Sequence, residues 1–186
     1  MEEQVLVMQS FLSVLAIAIT LPAAAAAQSS AHPETLTLDS GASVPRISQA
    51  TRTYLLGADE IYGIALYIDG GLDRARLASP EVAKALRIEF RYQDDLRRGI
   101  SLDWPRELVP KLEPAATNHL RGAFAPLKRG DVIVIEYSPG KGTIVRVNRS
   151  ESVVGANHDL MLAFLDHWLG QAPVSEELKR LLLGSS

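Results

Sequence analysis

The chain contains no cysteine. That excludes disulfides, thiolate metal sites, iron–sulfur clusters and a cysteine nucleophile together. It also lacks a basic excess, since 19 Lys and Arg stand against 22 Asp and Glu. Without a surplus of cations to neutralise phosphates, a nucleic-acid binder is not expected. There are four histidines, His32, His119, His158 and His167, and none lies three or four residues from another. Paired metal ligands on one helix face need that spacing. His158 and His167 are nine residues apart, half a turn out of phase on a helix. The histidines read as surface or capping residues, and neither a metal nor another cofactor is expected. No Gly-x-Ser-x-Gly elbow is present for a serine nucleophile. Gly140-Lys141-Gly142-Thr143 resembles the end of a phosphate loop, but Ile135 stands where that motif needs glycine. It reads as a hairpin turn instead.

What is present is ordinary globular composition. The 186 residues are 47% hydrophobic and 22% charged, enough for one domain with a core and far from a disordered chain. Residues 11–27 carry no charge and run through Pro22 into Ala23–Ala27. A hydrophobic core, a helix breaker and an Ala-x-Ala end have the layout of a secretory signal, with cleavage after Ala27. Two features depart from it or allow another reading. The start, Met-Glu-Glu-Gln, carries no basic residue, and Met8 offers a later start. A retained membrane anchor is the alternative, although the apolar run is short for a span of about 20 residues. Cleavage would leave 19 basic against 20 acidic groups, because Glu2 and Glu3 go with the signal. No second apolar run is long enough to span, so the mature chain is expected to be soluble, monomeric, and periplasmic or secreted.

Past the signal, residues 28–35 read as a flexible lead-in. Leu36–Leu38 forms a first short strand before Gly41. Arg52–Leu56 and Ile61–Ile68 read as a hairpin, the second run being rich in β-branched and aromatic residues. Ser79-Pro80-Glu81 has the chemistry of a helix start, predicting a helix to about Leu86. Arg87–Tyr92 then alternates as a half-buried strand. Residues 93–127 read as short helices broken by Pro105, Pro110 and Pro114. Val132–Tyr137 and Thr143–Asn148 form the clearest hairpin, and Val153–Gly155 a last short strand. Asn157 or Asp159 caps a helix that Gly170 stops. Ser175 opens a final helix that Gly184 ends. The whole is an α+β domain.

Arg52 stands out because it sits in a strand pattern directly before the apolar hairpin. A guanidinium on a covered sheet face needs an anion or carbonyl against it. Tyr62, on the partner strand, could supply a hydroxyl beside it, and the pair could hold a carboxylate or polarise a carbonyl. The other reading is an outward Arg on an exposed face.

Three blocks resemble the bacterial branch of the chalcone isomerase-like family. The first is Thr51-Arg52-Thr53 with Ile61-Tyr62-Gly63-Ile64-Ala65-Leu66-Tyr67. The second runs from Gly130-Asp131 through Val132–Tyr137 to Ser138-Pro139-Gly140-Lys141-Gly142-Thr143. The third is Trp168-Leu169-Gly170, Pro173 and Ser175–Gly184. Together they span roughly residues 36–184. The resemblance implies an open-faced β-sandwich, an antiparallel sheet under a helical layer with the ligand cleft between. It implies that Arg52 and Tyr62 face that cleft. The family pattern is shorter between Arg52 and Tyr67, and Gly57–Glu60 take up the added length. Tyr92 and Asn118 are of suitable type for further cleft groups, but no motif anchors them.

Two functions follow as expectations. One is a secreted protein binding a small amphipathic anion, such as a fatty acid, with Arg52 on the carboxylate and Tyr62 adding a hydrogen bond. The alternative is an isomerase or intramolecular lyase acting on a phenolic enone, in which the same pair stabilises an enolate. Binding needs one anchor. Catalysis needs further donors against developing charge, and the sequence offers only the anchor.

Overall fold

The alternating runs of the sequence become strands, and the apolar 3.6-period runs at the end become helices. A computed structural model describes residues 32–54, 59–91, 127–148, 150–155 and 157–184. The expected signal and all but the last residue of the expected 93–127 helices lie outside the described residues, as do His119, Tyr92 and Asn118. The strands are β1 (Thr35–Thr37), β2 (Ser43–Tyr54), β3 (Asp59–Ile68), β4 (Lys84–Phe90), β5 (Val132–Ser138), β6 (Gly142–Val147) and β7 (Ser150–Gly155). They pair in chain order, each neighbour antiparallel. The described helices are α1 (Arg74–Ala78), α2 (His158–Leu169) and α3 (Glu176–Leu183).

Successive residues of a strand point to opposite faces, and the register turns this into rows. Ala50, Ile64, Ile88, Ile133 and Val147 form one row, and Leu66, Leu86, Ile135 and Val145 the next. Both rows meet Met161, Phe164 and Trp168 of α2 and Leu178 and Leu182 of α3 in one core. Burying each such large apolar side chain stabilises the fold by about 1.5–3 kcal/mol. On the opposite face, Ala65, Tyr67 and Ala85 form a smaller cluster with Leu38 and Val44.

Local chemistry sets the helix ends. Asn157 Oδ1 accepts from the Leu160 amide at 3.3 Å and caps α2. Ser175 Oγ accepts from Leu178 at 3.2 Å and caps α3. Gly184 ends α3 in the left-handed region, at φ 65, where a side chain would be strained. Asn157→Ala is expected to cost about 1 kcal/mol, read as a lower urea midpoint. An unchanged midpoint would remove that cap from the account.

The structure departs from the sequence reading in three places. No helix starts at Ser79. Instead α1 ends there, and Ser79 Oγ accepts from the Glu81 amide at 3.2 Å in a local turn. Strand β4 begins at Lys84, because residues 84–90 pair with β3 on one side and β5 on the other. That two-sided ladder outweighs a local capping signal. Strand β2 also begins nine residues before Arg52, at Ser43. Pro45, Arg46, Ser48 and Gln49 disguise it, since none has strand propensity. Finally, the described part of the expected lead-in is held against the sheet, with Thr35 in β1 and His32 buried.

Candidate functional site

Arg52 of β2 and Tyr62 of β3 are direct cross-strand partners. Such partners share a face of the sheet, and Tyr62 belongs to the core beneath the helices. Arg52 is therefore on the helix-covered face, half-buried rather than outward. The register breaks immediately beyond, where Thr53 pairs with Glu60 and Ile61 is the bulged residue. A bulge absorbs one residue and re-aims its neighbours. The added length at 57–60 thus leaves Tyr62 opposite Arg52.

Tyr62 is fixed from the helical side. Trp168 Nε1, near the end of α2, donates to Tyr62 Oη at 3.0 Å. Indole is a donor only, so the phenol oxygen is the acceptor and its own proton remains for another group. Burial raises the ionisation of Tyr62 above the usual phenol range, against smaller opposing effects of the Trp168 hydrogen bond and the Arg52 charge. Tyr62 stays a neutral donor at physiological pH. Phe90 walls the other side, its ring 6.2 Å from that of Tyr62 and tilted by 56°. Among the described residues Arg52 has no hydrogen bond or ion pair. A cationic fork and a neutral hydroxyl, both donors, suit the oxygen of an anion.

The row inboard of this pair is sealed. Ile64 and Ile88 are completely covered by the helices, so these strand residues are not free to line a ligand tail. A separate cavity of about 610 Å³ lies among α1, α2 and α3, walled by Leu77, Leu162, Leu165, Leu169 and Leu183. Neither Arg52 nor Tyr62 lines it. Its charged residues, Arg74 and Lys179 with Asp159 and Asp166, are of mixed sign.

Sequence reasoning missed Trp168 as a partner of Tyr62, because 106 residues separate them and nothing local links the two. It also missed Lys84, which is fully buried. Lys84 Nζ donates to the carbonyls of Leu77 at 2.8 Å and Ser79 at 2.6 Å, and lies 3.2 Å from that of Arg76. It lies 3.0 Å from His158 Nε2, which accepts from it. Burial lowers Lys84 to about 8. These groups close the C-terminal end of α1, a structural role. The histidines differ from expectation as well. His167 is buried with its ring 4.8 Å from that of Trp168, and His32 is buried on the other face of the sheet. Among the described residues no three His, Asp or Glu side chains gather to hold a metal ion.

No curated protein matches the sequence. Among solved structures, a fatty-acid binding protein of Arabidopsis thaliana is similar at 15% identity and a TM-score of 0.49, over 81% of this chain and 96% of that one. The sequence model of the chalcone isomerase-like family matches residues 49–184, a stretch that holds Arg52, Tyr62, Trp168 and every element from the end of β2 to α3. With its antiparallel sheet under a helical layer, the chain belongs to the chalcone isomerase-like family.

Proposed function

We propose that this protein binds a small amphipathic anion of the fatty-acid kind, with the carboxylate held by Arg52 and Tyr62. One observation carries the reading: a half-buried guanidinium with no partner among the described residues lies beside a neutral phenol whose oxygen is already occupied by Trp168. The two residues are cross-strand partners on one face of the sheet, and each has a proton to donate. A carboxylate supplies the charge and the lone pairs that such a site lacks. We propose further that the protein is exported and that residues 1–27 are removed, which the mass of the exported protein would reveal as a chain starting at Gln28.

The test is native mass spectrometry of the exported protein, followed by titration with palmitate at neutral pH. Palmitate is expected to bind, and Arg52→Ala to weaken it by about 10–100-fold, the value of a charge-assisted hydrogen bond. The melting temperature should stay nearly unchanged, because Arg52 supports no other described group. Equal palmitate affinity in both proteins would overturn the site. Turnover of a phenolic enone, lost in Arg52→Ala, would replace carriage by isomerisation.

A further inference from the structure

The face of the sheet away from the helices is covered by the N-terminal hairpin. Strand β1 pairs only with Ser43–Pro45, and the ladder between β2 and β3 breaks between Arg46 and Ser48. Beyond that break the hairpin leaves the plane of the sheet. Its tip reaches β5, three strands away. The Asp39 amide donates to Glu136 Oε1 at 2.7 Å, and Ser138 Oγ donates to Ser40 Oγ at 2.9 Å. Strands lie about 4.8 Å apart, so the hairpin crosses the face above β3 and β4. Leu38 and Val44 press there on Ala65, Tyr67 and Ala85. Residues 32–48 also precede the stretch that matches the family.

The base of this hairpin is held by His32 within a cluster of arginines. Arg87 NH1 donates to His32 Nδ1 at 2.8 Å, and Arg46 donates to the His32 carbonyl. Tyr67 Oη donates to the Pro33 carbonyl at 2.9 Å. The ring packs close to Gly63, where a Cβ would sit 2.9 Å from both His32 Nε2 and Arg91 NH2. Since an arginine can only donate, Nδ1 accepts and the ring is neutral with its proton on Nε2. That atom is buried without a partner. The nearby acids are already paired, Glu89 with Arg87 at 3.1 Å and Glu60 with Arg91 at 2.9 Å.

We propose that the N-terminal hairpin is an acid-released flap and that protonation of His32 is its trigger. A second proton would set Nδ1–H against the Arg87 donor and place a buried cation among Arg46, Arg87 and Arg91. Burial, then those three charges, hold His32 down at about 4. The folded value lies below the unfolded one of about 6.5. The closed flap is therefore fully favoured above pH 6.5 and loses ground as pH falls toward 4. At the tip, Glu136 acts in the opposite sense. Burial raises it, with the Asp39 amide and Arg146 opposing, so its contribution favours the closed state as pH falls. The other charged groups at the tip are its partner Arg146 and the exposed Lys141–Asp39 pair.

Hydrogen exchange read by mass spectrometry at pH 7.5 and 5.0 tests this, corrected for the intrinsic pH dependence of exchange. One proton per opening predicts protection across residues 32–46 falling on the order of thirty-fold, while β4 and β5 peptides keep theirs. In His32→Gln the same peptides should show no pH response, whatever their baseline, and in Glu136→Gln the response should persist. Unchanged protection in the wild type would overturn the proposal. So would an undiminished response in His32→Gln, or a parallel loss in β4 that marks unfolding of the whole sheet.

Discussion

Lys84→Met is expected to destabilise the fold by about 2–4 kcal/mol, from the buried Leu77 carbonyl left without a donor at about 1–3 kcal/mol and from the lost bond to the part-buried Ser79 carbonyl at about 1 kcal/mol. Methionine keeps the length and the apolar stem, so the loss isolates the ammonium. The group at stake binds the end of α1 to the start of β4 and to the first turn of α2. Its contacts are the Leu77 and Ser79 carbonyls and His158 Nε2, with the Tyr137 ring 5.4 Å from the charge. Tyr137 Oη closes the same corner by donating to the Pro80 carbonyl at 2.7 Å. Urea unfolding would read the change as a midpoint lower by about 1–2 M, given slopes of about 1–3 kcal/mol per molar. Local exchange should increase first at residues 74–79, where the carbonyls lose their donor. A midpoint within error of the wild type would show that the lysine contributes nothing net, and that burial of its charge cancels its hydrogen bonds.

Two substitutions at Trp168 separate packing from positioning. Trp168→Ala empties a fully buried site in the main core and is expected to cost about 3–5 kcal/mol. Trp168→Phe keeps most of the volume and removes the indole N–H. Its cost should be about 1–2 kcal/mol, the combined effect of one lost hydrogen bond and a slightly smaller ring. The phenylalanine variant bears on function. Without the indole donor the Tyr62 hydroxyl is free to turn, and palmitate affinity should fall by about 3–10-fold through loss of a single positioned hydrogen bond. A phenylalanine variant as unstable as the alanine variant would contradict the packing account. One with unchanged palmitate affinity would separate Trp168 from the site.

The strands and the helix ends were legible in the residues themselves. Residues 61–68 and 132–137 alternate or run apolar with β-branched side chains. The turn Pro139-Gly140-Lys141 and the caps Asn157, Ser175 and Gly184 each carry their own local signal, and each appears where it was expected. The hairpin of residues 52–68 was legible for the same reason, since a hairpin is a short-range object. The register that sets Tyr62 opposite Arg52 was not, because Gly57–Glu60 add length and the ladder is bulged at Ile61. Where local signals compete with long-range pairing, the local reading fails. Ser79-Pro80-Glu81 has the chemistry of a helix start, yet β4 has partners on both sides and claims the following residues.

The long-range contacts were decided only by tertiary structure. Trp168 and Tyr62 meet because α2 packs along the sheet from β6 back toward β3. Lys84 is buried because α1, α2 and β4 close around one corner. His32 is a buried latch rather than part of a loose lead-in because β1 and the start of β2 fold back over the open face, onto arginines from β2 and β4. By itself the sequence determined an α+β sheet protein with a candidate anion anchor in a hairpin, since periodicity and turn chemistry act over a few residues. Which side of the sheet covers that anchor, what orients its hydroxyl and what covers the other face depended on contacts between distant segments. Burial and charge act through space, and no local pattern encodes them.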